Sequence, residues 1–187
     1  PPDQDFHTNL APVLQGQYRI NGLLWNIVLG NNPLQSCVAI LNKGFKVSVD
    51  PLEVVCDALS YLFSHYPELR QEPRVEEGVY YGKVVNRILD IAIDKISCLA
   101  SGNSLRRFIT AHKLDPFWLK SLLMIYFHQI RLNTELSVPA LAALITENKS
   151  EHQQAIKSLS RKNLLQNEGL LEYPEPSMYR NDLSLSD

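Results

Sequence analysis

The chain lacks an excess of either charge: 18 Lys and Arg face 20 Asp and Glu, a formal net charge of −2 over 187 residues. A protein-wide basic coat for nucleic acid is therefore excluded, although a local basic face is not. Cysteine is scarce. Cys37, Cys56 and Cys98 make an odd count without CxxC spacing, which argues against a disulfide framework and predicts buried, reduced thiols. That usage points to a reducing, intracellular compartment, cytoplasm or nucleus. The 8 glycines are scattered and form no GxxxxGK[ST], GxGxxG or Gly-x-Ser-x-Gly pattern, so neither a phosphate cradle nor a nucleophile elbow is expected. No stretch approaches the roughly 18 apolar residues of a membrane span. The opening Pro1-Pro2-Asp3-Gln4-Asp5 has neither the basic nor the apolar region of a signal peptide. It also lacks an initiator Met, so an upstream segment is expected. Among His7, His65, His112, His128 and His152 no two are four residues apart and no HExxH occurs, so no metal and no cofactor are anticipated.

What is present is a globular composition, 45% hydrophobic and 20% charged, long enough for one medium domain or two small ones. Apolar residues recur at helical spacing from Val13 to Leu29 (Ile20, Leu23, Leu24, Ile27, Val28) and again from Leu34 to Asn42. Lys43-Gly44 is expected to stop the second run, with Phe45 to Val49 a short strand or extended linker. Asp50-Pro51 and Asp115-Pro116 each combine an N-cap with a first-turn proline. They predict helices ending near Tyr66-Pro67 and Leu132. Between them, Glu68 to Gly78 is the most polar stretch, a surface loop or a boundary between subunits of the fold. Val79 to Ala100 is apolar around much of its circumference, the mark of a central helix. A short helix through Leu105, Phe108 and Ile109 follows.

Residues 116–173 form a pattern of their own. After the helix to Leu132 come Thr134-Glu135-Leu136-Ser137 and a short helix from Val138 to Thr146. Ser150 is then an N-cap for a helix to Asn163, and Leu164-Leu165-Gln166, Asn167-Glu168-Gly169 and Leu170 to Tyr173 follow as strand, tight turn and strand. Over this third of the chain the order of elements resembles the winged-helix superfamily. The stretch Thr134 to Ala142 resembles its first strand and second helix, and Lys149 to Leu165 its third helix running into the wing. The fold class expected is mainly α: an N-terminal helical bundle (1–112), a winged-helix-like domain with a short β-hairpin (113–173) and an extended tail (174–187).

The resemblance implies that the third helix enters the DNA major groove. Its outward residues are Ser150, Gln153, Gln154, Lys157, Ser158, Arg161 and Lys162. From 149 to 162 the basic residues Lys149, Lys157, Arg161 and Lys162 face the single acid Glu151, a local +3. Gln pairs with adenine edges, Arg with guanine, and Lys holds phosphates. Arg106, Arg107, His112 and Lys113 offer a second basic spot that would extend a phosphate-tracking surface, or simply a solvated turn. Against DNA stand Glu168, Glu172 and Glu175 near the expected wing. Winged helices also dock proteins, and a solvated face explains the lysines as well.

Catalytic constellations are missing. Asp90 and Asp94 form an i, i+4 carboxylate pair, better explained as a polar stripe than as an acid-base pair. His65 suits a helix end, His128 is expected to be a partly buried helix residue, and Tyr80-Tyr81 read with the other aromatics as core or interface, with exposed stacking residues as the lesser alternative. The expectation is a non-enzymatic DNA-binding regulator or architectural protein acting on double-stranded DNA. The alternative is a scaffold subunit that uses the winged helix and tail to hold a protein partner or a second copy. No small-molecule substrate is inferred.

Overall fold

The computed structural model describes residues 33–47, 50–70, 82–160, 164–172 and 182–185. The expected helix over 13–29, the stretch 71–81 with Tyr80 and Tyr81, and Arg161 and Lys162 lie outside these residues.

The chain is mainly α-helical, and its first described helix is longer than its glycine suggests. Helix α1 runs Pro33–Val47 and passes straight through Gly44, so neither the stop at 43–44 nor the strand or linker from Phe45 is found. The reason is a close neighbour. A methyl group on Gly44 would come within 2.4 Å of Val54 in the next helix, so the glycine lets two helices approach at the usual cost of about 1 kcal/mol in propensity. Helix α2, Pro51–His65, starts as expected, with the Asp50 carboxylate accepting from Leu52 N–H at 2.9 Å and Pro51 in the first turn. A 3-10 turn, Pro67–Arg70, follows it and seats Leu69 in the core beside Tyr66.

Helix α3, Gly82–Ser97, buries Val84, Val85, Ile88, Leu89, Ala92 and Ile96. It packs against helices before and after it in sequence, as expected of a central helix. Its first residue explains part of that seat: a methyl group at Gly82 would lie 1.7 Å from the Thr146 carbonyl oxygen. Helix α4, Ser104–Ala111, is capped by Asn103, whose side chain accepts from Leu105 and Arg106 N–H. Helix α5, Pro116–Phe127, is capped by Asp115 and continues into a π-turn, His128–Leu132. Asn133 ends that turn in the left-handed region at φ 51°, which asparagine tolerates. Strand β1, Leu136–Ser137, leads into helix α6, Val138–Ile145, in which every residue but Pro139 is buried. Helix α7 is Lys149–Leu159, and a single further turn, α8, is Leu164–Asn167. Strands β2, Leu171–Glu172, and β3, Asp182–Leu185, lie antiparallel, and β3 also pairs with β1, giving the order β1-β3-β2.

The sequence expectation of a winged-helix-like domain with a β-hairpin over 164–173 is corrected here. Residues 164–167 are helical, so the first strand of that hairpin does not exist. Gly169 does take the positive φ expected of it, 67°, but as a helix terminator. Leu170 N–H donates to the Leu165 carbonyl at 2.7 Å and Gly169 N–H to that of Gln166 at 3.0 Å, the two bonds of a Schellman ending. What stands is a mainly α-helical unit whose segment α5, π-turn, β1 and α6 is helix-turn-helix-like, as in winged-helix-like folds. One buried cluster runs from Leu34 to Leu165 through all these helices.

Candidate nucleic-acid interface

Helix α7 is held by one face and shows the other to solvent. His152, Ala155 and Leu159 are buried and Ile156 half-buried, at the i, i+3, i+4, i+7 positions of one stripe. Lys149, Ser150, Gln153, Gln154 and Lys157 are exposed on the opposite side, and Ser158 is half-buried. The five predicted contact residues within the described helix therefore share one face. Arg161 and Lys162, the remaining two residues of this stretch expected to make contacts, fall outside the described residues.

The helix start differs from the expected one. Asn148, not Ser150, is the N-cap: its side-chain oxygen accepts from Glu151 N–H at 3.0 Å. Glu151 closes the loop, accepting from Glu147 N–H at 2.9 Å and from the Asn148 amide at 2.6 Å. Asn148-x-x-Glu151 is a capping-box spacing that was legible in the sequence. It orders the helix entry and engages the carboxylate of the exposed Glu151. It also lowers the local charge. Among the described residues of this region, Lys149 and Lys157 are balanced by Glu147 and Glu151, so the stretch 147–162 carries +2 in place of +3, all of it from Arg161 and Lys162.

The second basic spot is partly committed. The Arg106 guanidinium is half-buried and donates to the Leu99 carbonyl, which ties α4 to the loop before it. Arg107 and Lys113 are exposed. His112 Nδ1 lies 2.8 Å from Glu168 Oε2. This contact joins the cap of α4 to the cap of α8 and was not anticipated. Its partners are far apart in sequence, so no local signal marks it. Glu168, expected to weigh against DNA at a wing tip, is instead one half of this pair.

The remaining polar groups are structural. Asp90 is paired with Lys120 Nζ at 2.7 Å, which joins α3 to α5. Arg131, at the end of the π-turn, bridges Glu53 and Asp57 on α2, the latter at 3.0 Å. The carboxylate of each pair is exposed, which keeps the pair's worth small, so their part is positional. His65 Nδ1 lies 2.9 Å from the Tyr61 carbonyl oxygen at the end of α2. His128 is more buried than expected, 5% exposed, with Nδ1 3.1 Å from Thr134 Oγ1. Its ring lies edge-on to Phe63 and Phe127, and burial pushes its pKa down to about 4. Cys37 and Cys56 are buried as expected, and burial pushes their thiols up to about 12 and about 11. Cys98 is exposed, contrary to expectation. All three are free thiols.

Among the described residues no group of three or more His, Cys, Asp or Glu is placed to hold a metal ion. No helix among them is long and apolar enough to cross a membrane. In comparisons with known proteins, no protein-family model, no curated protein and no solved structure matches this chain.

Proposed function

We propose that this protein is a non-enzymatic DNA-contacting regulator or architectural protein that meets double-stranded DNA with the outer face of α7, in a reducing intracellular compartment. One observation carries this reading. A helix-turn-helix-like unit whose middle helix is almost wholly buried presents, on its next helix, an exposed face of Lys149, Ser150, Gln153, Gln154 and Lys157. These side chains supply phosphate and base-edge partners and include no carboxylate. Arg161 and Lys162 would extend the face, and Arg107 would add a phosphate contact from α4.

The deciding experiment is a fluorescence-anisotropy titration of a random duplex at about 50 mM and 200 mM salt, where neutralising several phosphates weakens binding tenfold or more. Lys157→Glu with Arg161→Glu should abolish that binding while circular dichroism stays unchanged. Unaltered affinity in the double variant would remove the claim.

A second reading, a scaffold subunit docking a protein partner or a second copy of the chain, is favoured by the charge balance. Glu147 and Glu151 offset Lys149 and Lys157, and Arg106 is engaged with the Leu99 carbonyl. It requires duplex affinity to be absent at both salt concentrations.

A further inference from the structure

The exposed face of α7 has a finer order than a mixture of polar residues, and it points to a particular base. Positions four apart along a helix form ridges. Lys149, Gln153 and Lys157 make one such ridge, and Ser150, Gln154 and Ser158 make the ridge beside it. All are exposed except the half-buried Ser158. One ridge thus carries a cation at each end and a carboxamide at its centre. The neighbouring ridge carries a second carboxamide at the same height, between two short hydroxyl side chains.

The spacing fits a duplex groove. Eight residues at 1.5 Å each put the Lys149 and Lys157 backbones roughly 12 Å apart along the axis. The major groove is about 12 Å wide. With one ammonium reaching the phosphates on either rim, Gln153 and Gln154 are left over the floor. A Gln carboxamide is the side chain that matches adenine there: its N–H donates to N7 while its oxygen accepts from the N6 amino group. Guanine offers two acceptors and is matched by Arg or Lys. No arginine occurs within α7 itself, and both its outward lysines stand at the ends of the ridge. The hydroxyls of the second ridge are short enough to leave the carboxamide beside them in contact.

Resting on the DNA reading above, we infer that α7 selects adenine-bearing base pairs in the major groove, with Gln153 and Gln154 as the readers and Lys149 and Lys157 as the clamps on the flanking phosphates. Two consequences separate readers from clamps. Removing the glutamines abolishes base preference but leaves salt-dependent affinity, whereas removing a lysine weakens binding to every duplex alike and flattens the salt dependence.

The test uses the full chain and three labelled alternating duplexes, A·T, G·C and I·C, titrated by anisotropy at one low salt concentration. Inosine lacks the guanine N2 amino group, so I·C resembles A·T in the minor groove and G·C in the major groove. The expected result is A·T bound at least about fivefold more tightly than both others. In Gln153→Ala with Gln154→Ala that preference should vanish, the three duplexes then binding alike with salt-dependent affinity. Both substitutions lie at exposed helical positions and favour the helix, so circular dichroism should show a folded variant. Equal binding of A·T and I·C above G·C would mean that minor-groove shape is read. Equal binding of all three would mean contact with the backbone alone. Either result, or an A·T preference that survives in the double variant, overturns this inference and leaves DNA contact standing. Binding to none of the three would overturn both.

Discussion

Lowering the pH from about 7 to about 5 should cost this protein about 2 kcal/mol through a single side chain, His128. Its imidazole sits in the π-turn, 5% exposed, edge-on to Phe63 and Phe127. Nε2 has no hydrogen-bond partner among the described residues, while Nδ1 meets Thr134 Oγ1 at 3.1 Å. A proton on this ring would place a charge among aromatic edges with one N–H unanswered, so burial moves the pKa from 6.5 down to about 4. In the unfolded chain the ring regains its ordinary value. Between those two values the unfolded state therefore binds more protons than the folded one, and stability falls as pH falls. The loss begins near pH 6.5, reaches about 2 kcal/mol at pH 5 and levels off near 3 kcal/mol below pH 4. Urea denaturation followed by far-UV circular dichroism at the two pH values measures it. His128→Asn is the control: its carboxamide keeps an atom near the Nδ1 position for Thr134 and cannot titrate. The small void it leaves lowers stability equally at both pH values. The wild-type loss should therefore exceed the variant's by about 2 kcal/mol. Identical pH dependence in the two proteins would refute the reasoning, because the remaining titrating groups, His152 among them, are common to both.

Gly82→Ala should cost about 3 kcal/mol or more, a fall of roughly 6–12 °C in Tm. The added methyl meets the Thr146 carbonyl at 1.7 Å and a backbone oxygen cannot move aside; an unchanged melting curve would contradict the contact. With a thiol-reactive maleimide at neutral pH, mass spectrometry should find Cys98 modified quickly and Cys37 and Cys56 protected. The first is exposed, while the others are buried with thiols pushed up to about 12 and about 11. Equal rates at all three would show that the α1–α2 layer opens readily.

Several features could be read from neighbouring residues alone, because the physics behind them is local. Asp50-Pro51 and Asp115-Pro116 start helices wherever they occur: the carboxylate accepts an otherwise unpaired N–H and the proline supplies the helical φ. The i, i+3, i+4 stripes of α2, α3 and α7 likewise follow from the need to bury an apolar face. The outward residues of α7 follow from the same periodicity, so the candidate face was legible as far as Lys157. Its charge was not, since the count from 149 to 162 omitted Glu147 and the cap that ties it to Glu151.

The misreadings have one cause: a local signal served two structural purposes. Gly169 needed a positive φ either to turn a hairpin or to end a helix, and Leu164-Leu165-Gln166 suits both a strand and a helical turn. The carbonyls of Leu165 and Gln166, folded back onto the following N–H groups, decide for the helix. Gly44 marked a stop by propensity, yet the close approach of Val54 makes it an interior packing position. Ser150 and Asn148 were both competent caps, and the reach of Glu151 selects Asn148.

By itself, then, the sequence determined a mainly helical chain, the starts of α2 and α5, a central α3 and a polar outward face on α7. These depend on residues within one or two turns of each other. Only the tertiary structure decided the pairing of His112 with Glu168, the clasp of Arg131 on α2, the seat of Gly82 against Thr146 and the pairing of β3 with β1 and β2. All of these but the β2–β3 pairing, whose partners are 12–14 residues apart, join positions dozens of residues apart. Which partner such a side chain meets is fixed by how helices pack, and packing is a property of the whole core that no short window of sequence contains.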